Sequence, residues 1–253
     1  MRVWALAALD LIFPAFCPAC EAPLGVGRRD PLCGTCWTEI PRLDPPLCAR
    51  CGVPLAAGAC GTSREWGGLE GVQAPSNWCL GCRVDPPAFD RARGAGLYAG
   101  PLRQALHALK FHGKRALARP LAALIREQCE SVLAPDADAL VPVPLARARL
   151  RERGFNQAEL IADRLGALLD LPVRRRWLAR VRETDPQTDL AAAERRTNVR
   201  GAFVASSNVA GRYVVLVDDV LTTGATCREC ARALRAAGAR QIDVVTVARV
   251  PTP

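Results

Sequence analysis

One stretch of thirteen residues, 214–226, constrains the fold of this chain more than any other segment. It reads VVLVDDVLTTGAT: four apolar residues, two adjacent acids, two further apolar residues and a short turn rich in hydroxyl groups. The apolar run predicts a short buried strand, and residues 227–237 have the composition of a helix. The stretch therefore predicts a strand, a tight loop and a helix in direct succession.

The loop between this strand and this helix is suited to binding an anion. Backbone N–H groups and the positive end of the helix dipole are expected to meet at residues 223–226. Asp218 and Asp219 cannot both be buried and ionised without a partner, because like charges at that distance repel each other. A Mg²⁺ ion, or a sugar donating its hydroxyl groups to the two carboxylates, would relieve the repulsion.

These residues resemble the binding motif for 5-phosphoribosyl-1-pyrophosphate (PRPP) in type I phosphoribosyltransferases. That motif is an apolar strand, two acids, two apolar residues and Thr-Thr-Gly-x-Thr. The resemblance implies that Asp218 and Asp219 face the ribose hydroxyls. It also implies that the 5-phosphate is wrapped by the loop residues Thr222, Thr223, Gly224, Ala225 and Thr226. The alternative is a buried parallel strand whose terminal acids are solvated.

The cysteines form a second strong pattern. Of twelve cysteines, ten fall in C-x-x-C pairs, which favours metal ligation in a reducing compartment over a disulfide framework. Eight of them precede residue 90, and two closed, structural zinc sites are the simplest count. Pairing in sequence order gives one site from Cys17, Cys20, Cys33 and Cys36, and a second from Cys48, Cys51, Cys79 and Cys82. A crossed pairing also fits the spacing.

Two segments beside these cysteines are less regular. Residues 1–16 are apolar but carry Asp10 and lack a small-residue cleavage site, so they favour a short amphipathic helix over an export signal or a membrane contact. They are too short to span a bilayer, and we expect a cytoplasmic protein without a membrane span. Residues 55–78 predict a long surface loop, with Cys60 as a spare thiol rather than a fifth ligand.

Charge divides the chain at about the same place as the cysteines. Residues 1–89 carry 7 Lys and Arg against 8 Asp and Glu, a net charge of −1, whereas residues 90–253 carry 27 against 17, a net charge of +10. Such an excess of positive charge suits a polyanionic ligand or nucleic acid. A general abundance of arginine explains it equally well. We predict a small zinc module at 1–89 and a larger domain at 90–253.

The larger domain alternates strand and helix patterns. Strands are predicted at 95–100, 139–144, 178–181, 203–204, 214–217 and 242–248, with helices between them and a polar loop at 185–200. This order predicts an α/β fold with a mostly parallel sheet flanked by helices. Ligands of such sheets bind beyond the carboxyl ends of the strands. Residues 214–226 and the Val-Pro-Val-Pro turn at 141–144 should therefore open on one cleft.

As a whole, the chain resembles the ComF/GntX family of competence-associated, type I phosphoribosyltransferase-like proteins with an N-terminal double zinc ribbon. Further shared motifs are Phe-Pro at 13–14, Leu-Lys-Phe at 109–111, Val-Pro-Val-Pro at 141–144, Arg-Gly-Phe-Asn-Gln at 153–157, Gln187, Arg-x-Asn-Val at 196–199 and Phe203. The insertion at 55–78 departs from the family pattern and interrupts the second metal site, between Cys51 and Cys79.

The resemblance implies PRPP binding with Mg²⁺ in a bacterial cytoplasmic protein of natural transformation. Incoming single-stranded DNA would be processed there, beside a helicase-like partner. No particular reaction is implied. Purine-salvage enzymes carry an acid where this chain has Thr222, which disfavours a 6-oxopurine acceptor. The two resulting hypotheses are a transferase that consumes PRPP, and a non-catalytic PRPP sensor or adaptor that binds single-stranded DNA or a helicase.

If the protein is an enzyme, the reaction displaces pyrophosphate from the anomeric carbon of PRPP. Asp218 and Asp219 are then the candidates for ribose and metal, because positive charge develops on the sugar. Arg147 and Arg153 are candidates for pyrophosphate, since guanidinium groups fit phosphate oxygens; solvated surface arginines are the alternative. No general base is evident.

Four further polar residues near these motifs have two interpretations each. Asn156 and Gln157 either cap a helix or contact the ligand. Cys227 and Cys230 follow the loop, where a helix N-terminus lowers the pKa of a thiol. They are therefore either small packing residues or a redox switch.

Overall fold

The computed structural model describes residues 15–25, 31–55, 77–133, 135–183 and 199–250. Three sequence predictions lie wholly or mainly outside the described residues. They are the amphipathic helix before Cys17, the insertion with Cys60, and the polar segment with Gln187 and the Arg-x-Asn motif at 196–198.

The larger domain is built on a four-stranded parallel sheet. Its strands are β1 (Arg91–Leu97), β2 (Ala139–Pro142), β5 (Tyr213–Leu221) and β6 (Gln241–Arg249), in the spatial order β1-β6-β5-β2. β5 pairs with both β2 and β6, so it is an interior strand. Strands covered on both faces are nearly continuously apolar, which explains why its pattern was recognisable in the sequence.

Helices cover both faces of this sheet, as predicted. Helices α3 (Gly100–Phe111), α4 (Ala118–Gln128) and α6 (Gln157–Leu169) pack with Val215 and Val217 of β5. Helix α7 (Ala225–Ala236) packs on the other face with Val214 and Leu216. Alternate side chains of β5 thus belong to two separate apolar clusters, one on each face of the sheet.

Two short strands lie outside the main sheet. β3 (Leu178–Arg180) and β4 (Phe203–Ala205) form an antiparallel pair of their own. The sequence predicts both segments as strands but does not predict that they pair with each other. The basic run after residue 145 forms a further short helix, α5 (Arg147–Arg153).

The N-terminal module packs against the free edge of β1. It contains helices α1 (Gly34–Thr38) and α2 (Leu80–Val84). The N–H groups of Leu97 and Ala92 on β1 donate to the carbonyl oxygens of Pro41 and Arg50, at 2.9 and 2.7 Å. These bonds cover an edge strand that would otherwise present unpaired backbone groups. Among the described helices, each is too short or too polar to serve as a bilayer-spanning segment.

Candidate functional site

The loop predicted to bind an anion is tight in the structure. Helix α7 begins at Ala225, and the residue before it, Gly224, has a left-handed backbone with φ +75°. Glycine adopts this conformation without the steric penalty of a side chain. Thr223 Oγ1 accepts a hydrogen bond from the Ala225 N–H at 3.4 Å. The loop therefore brings the first turn of α7 directly to the carboxyl end of β5.

The two acids of the motif have different partners. Asp219 is 5% exposed, forms an ion pair with Lys110, and accepts a hydrogen bond from Gln157 Nε2 at 3.2 Å. The Oδ1 atom of Asp218 accepts the Asp219 N–H at 2.9 Å, and its Oδ2 atom lies 3.9 Å from Cys227 Sγ on α7. Consecutive residues of a strand alternate in direction, so the two carboxylates have different surroundings.

Two segments far apart in sequence contact Asp219. Lys110 is in the last turn of α3, and Gln157 is the first residue of α6. Arg153, the last residue of α5, donates from Nη1 to Gln157 Oε1 at 2.5 Å, and its guanidinium lies 5.2 Å from the centre of the Phe111 ring. We call Lys110, Asp219, Gln157 and Arg153 the Asp219 network. It is a continuous polar chain at the carboxyl end of the sheet.

The pKa values of the two acids are shifted in opposite directions. Burial raises the pKa of Asp219, but the charge of Lys110 and hydrogen bonds from Lys110, Asp218 and Gln157 together lower it below its ordinary value. Burial and the neighbouring Asp219 carboxylate raise the pKa of Asp218 well above its ordinary value. The network thus favours an ionised Asp219 and opposes a second negative charge on Asp218.

A small cavity adjoins the network. Its volume is about 130 Å³, and its lining residues are Lys110, Phe111, Gly113, Glu152, Arg153 and Phe155. The Phe111 ring is 61% exposed. Burial lowers the pKa of the Arg153 guanidinium, although the Asp219 charge opposes this shift. The cavity therefore combines aromatic surface with two cationic side chains next to Asp219.

Four other residues were predicted from the sequence as candidate site residues, and the structure brings only two of them to the Asp219 network. Asn156 is the N-cap of α6: it accepts the Ala158 N–H at 3.0 Å and donates to Val143 O at 3.0 Å. Arg147 is exposed at the start of α5, where its backbone N–H donates to Glu183 Oε1 at 2.9 Å. Within the described ranges, no hydrogen bond or ion pair joins Arg147 to the Asp219 network. Of the four candidates Arg147, Arg153, Asn156 and Gln157, only Arg153 and Gln157 belong to the network.

Lys110 and Phe111 belong to the site, although the sequence predicted no site role for them. The available signal was the Leu-Lys-Phe motif at 109–111, which the family resemblance includes without assigning a role to its residues. From sequence alone, a lysine in the last turn of a helix indicates only a favourable interaction with the helix dipole. Its contact with Asp219 depends on how α3 packs against the sheet.

The cysteines converge in sequence order. The four sulfur atoms of Cys17, Cys20, Cys33 and Cys36 lie within 4.8 Å of one another, and so do those of Cys48, Cys51, Cys79 and Cys82. Every cysteine in the described part of the chain is free of disulfide bonds.

Backbone N–H groups point at the sulfur atoms in both sets, for example Cys36 N to Cys33 Sγ at 3.4 Å and Cys79 N to Cys48 Sγ at 3.2 Å. Four converging thiols with backbone donors fit a closed tetrahedral zinc site. Both sets therefore have the donor chemistry of structural metal sites.

The C-x-x-C pair of α7 is different in character. Cys227 and Cys230 are 1% and 0% exposed. Burial raises the pKa of both thiols well above the ordinary value, and the nearby Asp218 carboxylate raises it further. Burial thus outweighs the lowering of the thiol pKa that is expected at a helix N-terminus. Both residues pack in the apolar cluster that also contains Val214 and Leu216.

Two family models match the chain, in agreement with these two parts of the structure. A double zinc ribbon domain matches residues 8–82, and a phosphoribosyl transferase domain matches residues 150–253. The molecule is therefore a phosphoribosyltransferase-like α/β protein with an N-terminal double zinc ribbon.

Relatives of similar length place the chain in a family. It is 32% identical to competence protein F of Haemophilus influenzae, over 92% of this chain and 96% of that protein. It is 32% identical to DNA utilization protein YhgH of Salmonella typhi, over 94% and 99%, and 24% identical to competence protein ComFC of Bacillus subtilis, over 80% and 77%. The chain belongs to the ComF family of competence and DNA utilization proteins, as its motifs indicated.

Proposed function

We propose that the protein binds PRPP, together with Mg²⁺, at the carboxyl end of β5 and transfers or holds its 5-phosphoribosyl group during DNA uptake. One observation carries this proposal. The acid pair leads through the left-handed Gly224 into the N-terminus of α7, at the end of an interior parallel strand. Ligands of open parallel sheets bind at this position. The printed names of the relatives support the setting in competence.

Each part of PRPP has a complementary group in this arrangement. The N–H groups of the loop, residues 222–226, would bind the 5-phosphate. Asp218 and Asp219 would accept hydrogen bonds from the ribose hydroxyls. Arg153 would bind the pyrophosphate, since its guanidinium lies beside Asp219, and the exposed Arg147 at the start of the same short helix is the second candidate.

The two acids also fit a magnesium ion, because carboxylate oxygens are its preferred protein ligands. Asp218 is the available donor: it is half-buried, whereas Asp219 is occupied by Lys110 and Gln157. Bound Mg²⁺ would neutralise charge on the leaving pyrophosphate. We further propose a cytoplasmic location, which the free cysteines of the described residues support.

Titration calorimetry of PRPP with Mg²⁺ into the full-length, zinc-loaded protein tests the binding. We expect heat with the wild type. For Asp218→Asn and Asp219→Asn we expect binding to be at least tenfold weaker, as for lost charge-assisted hydrogen bonds. Asp163→Asn is the matched control, because Asp163 is a surface carboxylate of α6 that pairs with Arg175. Absence of heat with the wild type would refute the proposal, as would unchanged affinity in both site variants.

A specific observation favours the second hypothesis, a non-catalytic PRPP sensor that binds single-stranded DNA or a helicase partner. Phe111 is 61% exposed and lies beside Arg153, and exposed aromatic rings among cations can stack with bases. Release of pyrophosphate with one member of a panel of amines and bases would favour the transferase. PRPP binding without release, combined with salt-sensitive DNA binding that Phe111→Ala weakens, would favour the sensor.

A further inference from the structure

A buried arginine connects the second cysteine set to the loop of the candidate site. Arg249 is the last residue of β6 and is 4% exposed. Its Nη1 atom donates to the carbonyl oxygen of Thr222, the first loop residue, at 3.3 Å. Its Nη2 atom lies 3.9 Å from the Sγ atom of Cys51. One guanidinium thus contacts both a ligand of the second zinc site and the loop.

The position of this guanidinium is fixed by its surroundings. The backbone of Arg249 pairs with Leu221 of β5 on one side and with Leu97 of β1 on the other. Gly94 leaves room for the side chain, because a Cβ atom there would lie 2.8 Å from the Cβ atom of Arg249. The side chain therefore leaves the sheet at a defined place, between the zinc module and the loop.

A buried guanidinium is stable only with a partner of opposite charge. Zinc ligands bind as thiolates, so a loaded second site would supply that partner at Cys51. The Arg249 Nε atom is buried and has no hydrogen-bond partner among the described residues. The contacts of Nη1 and Nη2 therefore carry most of its stabilisation.

From these contacts we infer that Arg249 is a positioning residue through which the second zinc site controls the affinity of the loop for a phosphorylated ligand, an inference that rests on the proposed binding of PRPP. Bound zinc holds the Cys51 sulfur in place, Arg249 stays between Cys51 and Thr222, and the Thr222 carbonyl anchors the loop. Loss of that metal releases Cys51, and with it the anchor. No hydrogen bond among the described residues joins the first site to the loop, so its metal has no such effect.

The test compares Arg249→Met, Cys79→Ser and Cys33→Ser in the full-length protein. Cys79 and Cys33 are a matched pair, because each is the N-cap of a five-residue helix in its own cysteine set. Zinc content is measured first, and PRPP affinity with Mg²⁺ is then measured by calorimetry. We expect Arg249→Met to retain both zinc ions and bind about tenfold more weakly, as for one lost charged hydrogen bond.

The coupling itself appears in the combined variant. Cys79→Ser should weaken PRPP binding to a similar extent, Cys79→Ser with Arg249→Met should weaken it no further, and Cys33→Ser should leave it unchanged. Wild-type affinity in Arg249→Met, or additive losses in the combined variant, would overturn the inference. If Arg249→Met does not fold, Arg249→Lys replaces it, because a single ammonium group lacks the fork that reaches both partners.

Hydrogen exchange at residues 222–226 separates this inference from the proposed function. We expect faster exchange of these amides in Arg249→Met and Cys79→Ser, and wild-type exchange in Cys33→Ser. If the wild type does not bind PRPP, the proposed function fails, and the exchange pattern still decides whether the zinc site and the loop are coupled. Uniform exchange in all variants would refute the coupling even where PRPP binds.

Discussion

The ion pair between Lys110 and Asp219 offers the sharpest test of the site. Replacing Lys110 with Met keeps the length and apolar stem of the side chain and removes the charge. Asp219 then remains buried with Gln157 as its hydrogen-bond donor but without a cation in contact. We expect the variant to lose stability at neutral pH, since a buried carboxylate is left without its partner.

Burial sets the magnitude of this loss. Asp219 is 5% exposed, and the side chain of Lys110 is 18% exposed. Breaking a buried pair from one side typically lowers the free energy of unfolding by about 3–5 kcal/mol. We expect about 3 kcal/mol, the lower end, because Lys110 retains some contact with water and Arg153 stays close. Such a loss is a large fraction of the stability of an ordinary domain.

The loss should depend on pH with a definite sign. In the wild type the pKa of Asp219 is lowered, so its contribution to stability is present above its unfolded pKa and is lost as the pH falls through the folded value. Without Lys110, burial dominates and raises the pKa of Asp219. The penalty is then largest at neutral pH and shrinks as the pH falls and Asp219 binds a proton.

Urea unfolding of the full-length protein between pH 5 and pH 7.5 measures this difference. Arg212→Met is the control, because Arg212 pairs with Asp138 at 2.9 Å but is 55% exposed, and it should change the free energy of unfolding by less than about 1 kcal/mol. The double variant Lys110→Met with Asp219→Asn removes both charges and should regain most of the loss. A penalty no larger than that of the control, or one independent of pH, would refute the reasoning.

Two further predictions concern the frame around the site. Gly52→Ala should lower the free energy of unfolding by about 1–3 kcal/mol in thermal melts, because Gly52 has φ +67° and a Cβ atom there would lie 2.5 Å from Ala92 O; Gly34→Ala, with open space around it, should change little. Tyr213→Phe should lower it by about 1–2 kcal/mol in urea, since the Tyr213 hydroxyl donates to the fully buried Asp243 at 2.6 Å, and an unchanged midpoint would contradict that role.

Local features of the site were predictable from the sequence because their causes are local. An apolar run before Asp218 and Asp219 specifies a buried strand, and glycine at 224 permits the left-handed turn that starts α7. The C-x-x-C spacing likewise predicts that two sulfur atoms converge on one metal. Which pairs share a metal is a tertiary property, and the structure supplies the sequence-order grouping.

Contacts between distant segments were not predictable in the same way. Lys110 and Asp219 are more than a hundred positions apart, and their pairing depends on where α3 ends relative to β5. The pairing of β3 with β4 is similar: each strand has only three residues, and nothing in so short a pattern distinguishes an antiparallel pair from a sheet strand. The division of the chain near residue 89 remains a prediction from composition and charge.

The zinc module packs directly against the sheet, and these contacts give a structural reason for the two to occur in one chain. Backbone bonds from Pro41 and Arg50 close the free edge of β1. Cys17 and Cys36 pack in the apolar cluster on one face of the sheet, and Cys48 and Cys51 in the cluster on the other. A module attached only for docking to a partner would not need these contacts. Both metal sites therefore help to pack the module against the sheet, and a loss of zinc from the second site should be detectable at residues 222–226 before any partner is added.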